Sequence, residues 1–103
     1  MSSGIDLSYK KGASFERRVR KALENKGYFV IRAAASRPVD LVAIRNGKTV
    51  LIECKSGSSR ISKFRAKELL KLSKELKVDV LLAHEGEDGK VVIEPLESAI
   101  DVS

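Results

Sequence analysis

The chain has 103 residues, of which 43% are apolar and 33% are charged, a composition typical of one globular domain and not of a disordered segment. Lys and Arg outnumber Asp and Glu by 20 to 14, and the net charge of +6 favours a polyanionic partner, with a basic surface that only aids solubility as the alternative. No apolar stretch is long enough to cross a bilayer, and residues 1–11 lack a signal-peptide core, so we expect a cytoplasmic protein without membrane contact.

The first third of the chain predicts an arm, a helix and a strand. Residues 1–12 combine Ser, Gly and Lys without a hydrophobic period, which predicts a flexible basic arm. A helix is expected over residues 15–26, with Ser14 as its N-cap and Gly27 at its end, because apolar residues recur there at helical spacing. The β-branched and aromatic residues of 28–33 then predict a strand, followed by a loop of small and polar residues.

A hairpin is the strongest local prediction. Asn46-Gly47 lies between two alternating apolar runs and is typical of a type I′ turn, which needs positive φ at both central positions. Counting outward from that turn places Asp40 opposite Glu53 on one face, where like charges are destabilising unless a cation such as a divalent metal lies between them. Lys55 shares the face of Glu53, whereas Cys54 points away from the acids and is expected to be a small core residue.

A second helix and a buried strand follow the hairpin. After a Ser- and Gly-rich loop, the helix is expected to run from an N-cap at Ser62 to about Leu76. Residues 78–83 are apolar enough for a strand buried on both faces, and its position after a helix suggests parallel pairing with an earlier strand. His84 ends that strand and is expected to have a structural or solvent-facing role.

The chain ends with an edge strand. Asp88-Gly89 predicts a turn into residues 90–94, and Pro95 would end the strand there. Residues 96–103 are expected to form a tail or a short helix, which leaves residues 13–95 as the single folded domain. The predicted fold is therefore α/β, with element order αβββαββ and a central mixed five-stranded sheet flanked by helices.

The motif on the hairpin identifies a superfamily by resemblance. Pro38-Val39-Asp40 followed by Glu53-Cys54-Lys55, between two helices, is the pattern of the PD-(D/E)xK nucleases, with one residue inserted between Pro and Asp. Three further features agree: residues 11–17, residues 27–32 and Ser36. In this combination the chain resembles an archaeal Holliday junction resolvase of the Hjc type over about residues 10–94, which implies a restriction-endonuclease-like fold.

The resemblance also implies roles for individual residues. Glu16, Asp40 and Glu53 would bind Mg²⁺, for which Mn²⁺ would substitute, and oxygen ligands of this kind suit both ions. Lys55 would assist the attacking water or stabilise the phosphorane, and Ser36 would be a catalytic loop serine. The expected DNA contacts are Lys10, Lys11, Arg17, Arg32, Arg60, Lys63, Phe64 and Arg65.

Each of these residues has a simpler alternative. Glu16 would then only complement a helix N-terminus, Asp40 and Glu53 would be edge-strand charges, and Lys55 would be a solvated strand end. Ser36 would be an ordinary polar residue of a loop. The arginines would form a solvated basic face.

The function implied by the resemblance is metal-dependent, paired phosphodiester hydrolysis that resolves four-way DNA junctions. Two symmetric cuts imply a homodimer with two-fold symmetry. The candidate interface residues are the apolar positions of the second helix and Leu96, Ala99 and Ile100, which have helical spacing and could equally cover the core.

Two other functions remain open. One is a repair or restriction-like endonuclease of the same superfamily, although the small size of the chain argues against a restriction enzyme, which we expect to need an extra domain to read bases. The other is a non-catalytic nucleic-acid-binding module. The presence of all the motif acids argues against this second function.

Overall fold

The computed structural model describes residues 7–100, with side chains for all of these except residues 7–10 and Ser36. Its elements, in chain order, are α1 (Leu7–Asn25), β1 (Phe29–Arg32), β2 (Leu41–Arg45), β3 (Lys48–Lys55), α2 (Lys63–Leu76), β4 (Asp79–Glu85), β5 (Val91–Pro95) and α3 (Leu96–Ala99). One turn of 3₁₀ helix, Ala34–Ser36, lies between β1 and β2. This order confirms the prediction, and α3 corresponds to the short helix that was one of the two alternatives for residues 96–103.

The five strands form one mixed sheet in the order β1-β2-β3-β4-β5. β3 and β4 pair in parallel, and the other three neighbours are antiparallel. The parallel pair requires a crossover, which α2 supplies, and β5 lies at the edge as predicted. No helix among residues 7–100 is long and apolar enough to cross a membrane.

Helix α1 begins earlier than predicted. Residues 7–12, expected in a flexible arm, form its first turns, and Ser14 lies inside the helix, so the predicted N-cap is wrong. Residues 1–6 of the predicted arm lie outside the described part. Phe15 and Val19 are buried against the sheet and hold the helix in place. Because extending a formed helix is much easier than starting one, Gly12 is tolerated in its interior despite a cost of about 1 kcal/mol relative to Ala.

The predicted hairpin turn is confirmed. Asn46 and Gly47 have φ values of 52° and 76°, as a type I′ turn requires. The strands pair in the predicted register from Arg45↔Lys48 to Leu41↔Ile52, where the ladder ends. The predicted next pair, Asp40 facing Glu53, is wrong, because β2 begins at Leu41.

Each face of the sheet has its own core. On the α1 face, α1 covers an apolar cluster that includes Leu41, Ala43 and Ile52. On the opposite face, called here the α2 face, α2 and α3 cover a second cluster. This second cluster consists of Val39, Leu51, Leu69, Val80, Leu82 and Leu96.

The α2-face cluster decides between the two roles weighed for the C-terminal apolar residues. Leu96 is fully buried in it, and Ala99 and Ile100 pack against it. Leu69 of α2 is buried there as well. Leu69 and Leu96 are therefore wrong as interface candidates, because the chain's own core already takes up their surface.

Candidate functional site

A cavity of about 220 Å³ on the α1 face brings together two of the predicted metal ligands. This acid pocket is lined by Gly12, Ala13, Phe15, Glu16, Arg32, Asp40, Cys54 and Ser56. Glu16 reaches it from α1, where it accepts a hydrogen bond of 2.7 Å from Arg32 Nε. Asp40 reaches it from the residue before β2, and its Oδ2 accepts a hydrogen bond of 2.7 Å from the backbone N–H of Cys54.

Asp40 enters the pocket because it lies just outside the strand. Its carbonyl oxygen accepts a hydrogen bond from Ala33 N at 3.0 Å, which extends the pairing with β1 and leaves the side chain free to turn toward β3. A residue within β2 would instead alternate strictly with Leu41. The carboxylate therefore meets the backbone of β3 and does not lie opposite Glu53.

Glu53 is on the α2 face and is 5% exposed. Arg65 of α2 donates to its two oxygens, through Nε at 3.0 Å and Nη2 at 3.4 Å. Nη2 of Arg65 also donates to the carbonyl oxygen of Pro38. The hydrogen bond with Glu53 is the main reason that the pKa of the Arg65 guanidinium is raised. Arg65 was predicted as a DNA contact, and in the structure its guanidinium is engaged inside the site.

The three predicted ligands do not surround one point. Among residues 7–100, no three Asp, Glu, His or Cys side chains are grouped so that they could hold a metal ion. Glu16 is bound to Arg32, Asp40 to a backbone N–H and Glu53 to Arg65. The oxygen donors are chemically suited to Mg²⁺, but in this arrangement they do not fit a three-carboxylate site.

A larger groove of about 890 Å³ opens on the α2 face. It lies between the loop of residues 57–62, the start of α2 and the ends of β4 and β5. Four cationic side chains line this basic groove: Lys55, Arg60, Lys63 and Lys67. None of the four forms an ion pair with another residue of the described chain. The groove is also lined by Glu85 and Glu94, so it presents an excess of positive charge, and the motif lysine Lys55 is part of it.

The remaining predicted residues are spread along both helices. Lys11 and Arg17 are exposed on α1, and Phe64, on the first turn of α2, is 74% exposed. Ser36 lies in the 3₁₀ turn ahead of Asp40, and its side chain, like that of Lys10, is outside the described part. The acid pocket also includes Arg32.

Cys54 lies in the acid pocket although the sequence predicted that it points away from the acids. It alternates with Glu53 as expected, but Asp40 and Glu16 are on its own face. Burial, followed by the charges of Asp40, Glu16 and Glu53, raises the pKa of the Cys54 thiol. This shift disfavours the reactive thiolate, and the partly buried side chain packs against the core on the α1 face.

Two acidic residues at the ends of β4 and β5 were not assigned from the sequence. Glu85 accepts a hydrogen bond from Gly57 N at 2.7 Å and pairs with Arg18 of α1 at 3.3 Å. The Gly57 N–H is the main cause that lowers the pKa of Glu85. Glu94 pairs with His84 on the neighbouring strand at the wall of the basic groove. Parallel pairing of β3 and β4 brings their carboxyl ends together, which is the signal that could have pointed to Glu85.

Fold and motif together define a class of protein, the nucleases with a PD-(D/E)xK motif on a mixed sheet. Residues 7–101 match the model of the family described as archaeal Holliday junction resolvase (hjc). The chain belongs to this family.

Two individual proteins illustrate the similarity. The chain is 50% identical over 50 residues to a protein of Methanocaldococcus jannaschii named crossover junction endodeoxyribonuclease Hjc, and this match covers 48% of the chain but only 38% of that relative. It also resembles the structure of Archaeoglobus fulgidus Hjc, a Holliday junction resolvase, with a TM-score of 0.71 over 84% of this chain and 74% of the other. The sequence identity to that structure is 22%, so this second match speaks for the fold.

Proposed function

We propose that the protein is a metal-dependent, structure-specific endonuclease that resolves four-way DNA junctions by paired phosphodiester hydrolysis. Membership of the resolvase family supports the reaction class. The observation that carries the site is the hydrogen bond from Cys54 N to Asp40, because Cys54 is the residue between Glu53 and Lys55. Through this bond the Asp of the motif is held against the Glu-x-Lys strand, with Glu16 in the same pocket.

The catalytic roles that we propose are those implied by the family resemblance, and the chemistry of each group is suited to them. Glu16, Asp40 and Glu53 are the proposed ligands of Mg²⁺, with Mn²⁺ as a substitute, once they are brought together. Lys55 supplies a mobile positive charge on the groove side of β3, where it would stabilise charge on the phosphate under attack. Ser36 remains a proposed catalytic residue on its motif position alone.

The basic groove is the proposed path of the DNA backbone. Its free cations are suited to phosphate, and such contacts position a duplex without reading its sequence, as an enzyme that recognises junction shape requires. The exposed ring of Phe64 beside the groove is suited to stack on an unpaired base at the branch point. Lys10, Lys11, Arg17 and Arg32 are proposed further contacts from the α1 side.

A second copy of the chain is the proposed protein partner, since two symmetric cuts need two sites. Phe29 and Ile31 are 67% and 44% exposed on the edge strand β1. Their neighbours Tyr28 and Val30 pack against the core under α1, so Phe29 and Ile31 face the other side of the sheet. Exposed large apolar side chains of this kind are typical of interfaces, and we propose this surface in place of the buried candidates.

The test is cleavage of a synthetic four-way junction, a linear duplex and a flap in Mg²⁺. We expect the wild type to cut the junction preferentially. Asp40→Asn should lower the rate by at least about 100-fold, because it removes a charged group from the reacting centre. The asparagine oxygen can still accept the Cys54 N–H, so the local fold should persist. Asp79→Asn is the matched control, since Asp79 is exposed and pairs with Lys48 at the opposite end of the sheet.

Each substrate pattern points to a different conclusion. Equal cutting of duplex and junction would favour another nuclease of the same superfamily. Binding of the junction without any cleavage, in the wild type and in Asp40→Asn alike, would favour a non-catalytic binding module. An equal loss of rate in Asp79→Asn would mean that the effect of Asp40→Asn is not specific to the site.

A further inference from the structure

The loop of residues 57–62, called here the groove loop, lines the basic groove and carries part of its charge. Arg60 lies within this loop, and Lys63 follows it as the first residue of α2. Residues 57–60 are exposed, so burial contributes little to holding them. The position of these cations therefore depends on the hydrogen bonds that anchor the loop.

Glu85, at the end of β4, anchors the groove loop. Its Oε1 accepts a hydrogen bond of 2.7 Å from the backbone N–H of Gly57. Within the described part of the chain, this is the one hydrogen bond that joins residues 57–61 to a helix or a strand. The bond from Ser59 N to Ser56 O, at 3.1 Å, stays inside the connection between β3 and α2.

The other oxygen of the Glu85 carboxylate is held from α1. Oε2 pairs with Arg18 Nη1 at 3.3 Å, and Nη2 of Arg18 donates to the carbonyl oxygen of Gly89, in the turn between β4 and β5. The guanidinium also lies over the ring of the buried Phe15, 5.6 Å from its centroid. Glu85 therefore connects the groove loop to a helix that is itself packed on the core.

We propose that Glu85 is a positioning residue for DNA binding, which holds the groove loop so that Arg60 and Lys63 meet the DNA backbone. This inference rests on the proposed path of the DNA through the basic groove. It gives an acidic residue of that groove a favourable effect on binding, although a carboxylate there repels phosphate. The repulsion is small because Arg18 pairs with the charge and solvent screens it, whereas each phosphate contact that is lost lowers the affinity directly.

The test is a titration of a labelled four-way junction at several salt concentrations, in EDTA so that cleavage does not interfere. We expect Glu85→Ala to bind at least about threefold more weakly than the wild type, and the slope of log Kd against log salt to fall by about 1, as after the loss of one phosphate contact. Repulsion alone predicts the opposite sign, because the variant removes a negative charge from the groove. Binding by Glu85→Ala that is as tight as that of the wild type, or tighter, would overturn the proposal.

Glu94→Ala is the matched control. Glu94 also lines the groove, and its side chain is 32% exposed against 26% for Glu85, but it pairs with His84 and not with the groove loop. We expect Glu94→Ala to bind the junction more tightly than the wild type, because it removes negative charge without releasing the loop. Weaker binding by the same factor in both alanine variants would count against a specific effect of Glu85.

Two conservative variants separate the contact from the charge. Glu85→Gln removes the same charge as Glu85→Ala, but its side-chain oxygen can still accept the Gly57 N–H, so it should bind the junction more tightly than Glu85→Ala. If circular dichroism shows that Glu85→Ala is unfolded, Glu85→Asp takes its place. Aspartate keeps the charge but is one methylene shorter and withdraws from Gly57, so it should bind more weakly than the wild type. An unchanged affinity in Glu85→Asp would then overturn the proposal.

Amide hydrogen exchange of the DNA-free protein separates this inference from the proposed function. The Gly57 N–H should exchange faster in Glu85→Ala than in the wild type, because it loses its acceptor, and at the wild-type rate in Glu94→Ala. Unchanged exchange in Glu85→Ala would overturn the inference even if the wild type binds and cuts the junction. A wild type that neither binds nor cuts the junction would remove the proposed function, and faster exchange would then leave only the anchoring of the loop standing.

Discussion

Three carboxylates of the same chemistry have three different environments at the candidate site. Glu16 pairs with an arginine whose side chain is largely exposed, and such a pair contributes at most about 1 kcal/mol. Asp40 is held by a backbone N–H, and Glu53 is buried against Arg65. Their availability to another cation therefore differs: it is greatest at the acid pocket and least at Glu53.

Glu85 offers a test of electrostatics away from these acids. Its pKa is lowered below the ordinary value of 4.5, chiefly by the Gly57 N–H and then by Arg18. A carboxyl group with a lowered folded pKa stabilises the protein fully above pH 4.5, and the stabilisation is lost as the pH falls through the folded pKa. We expect Glu85→Gln to be less stable than the wild type at pH 7, and the difference to shrink below pH 4.5.

Urea unfolding at several pH values between 7 and 3 measures this difference. Glu87→Gln is the matched control, because Glu87 is exposed in the adjacent turn and forms no ion pair within the described chain. A stability difference for Glu85→Gln that is the same at pH 3 and pH 7 would contradict the assignment.

Helix α2 shows how an element's two ends are set by different chemistry. Ser62 caps the N-terminus by accepting the N–H of Arg65 at 3.0 Å, and this cap also fixes the residue that holds Glu53. The C-terminus ends at Lys77 in the left-handed conformation, with φ of 56° and ψ of 43°. Glycine is the usual residue there, because a Cβ is unfavourable at positive φ.

Replacement of lysine by glycine is expected to have opposite effects on stability at two positions near the end of α2. Lys77→Gly should raise the free energy of unfolding by about 0.5–1 kcal/mol, since relief of the left-handed strain exceeds the added chain entropy. Lys74→Gly, three residues earlier within the helix and also exposed, should lower it by about 1 kcal/mol. Urea unfolding of both variants checks the signs; destabilisation of similar size at both positions would show that the left-handed conformation does not persist in solution.

At the scale of the whole molecule, the helices cover the two faces of the sheet unequally. α1 covers one face, whereas α2 and α3 leave Phe29 and Ile31 of β1 exposed on the other. The basic groove occupies the same side at the distant strands β4 and β5. The surfaces proposed for self-association and for DNA binding therefore lie on different parts of the molecule, so that the two proposals are compatible with each other.

A pair of phenylalanine variants tests this division. Phe29→Ser should weaken self-association by at least about tenfold, because loss of a buried aromatic anchor commonly costs 2 kcal/mol or more. Phe64→Ser should leave self-association unchanged and weaken junction binding by about 1–3 kcal/mol, the value of one stacked base. Analytical ultracentrifugation and a junction-binding titration on both variants provide the readouts. If Phe64→Ser weakens self-association and Phe29→Ser does not, the interface would instead be assigned to α2.

Much of the fold was predictable because its signals are local. The Asn46-Gly47 turn, the Ser62 cap and the order of strands and helices each depend on residues close together in the chain, and all three are confirmed. The start of α1 was not predictable from periodicity, because tertiary burial of Phe15 stabilises turns that carry Gly12 and no apolar repeat.

The sequence by itself indicated the family, through the motif of Asp40, Glu53 and Lys55 on its hairpin together with residues 11–17, residues 27–32 and Ser36. Tertiary structure alone decided where those side chains point. Asp40 turns to the α1 face because β2 begins one residue later. Glu53 accepts hydrogen bonds from Arg65 because α2 packs on the other face of the sheet. The two-residue period of a strand predicts the direction of a side chain only inside that strand. The partner of a charged side chain is decided only when distant elements pack together.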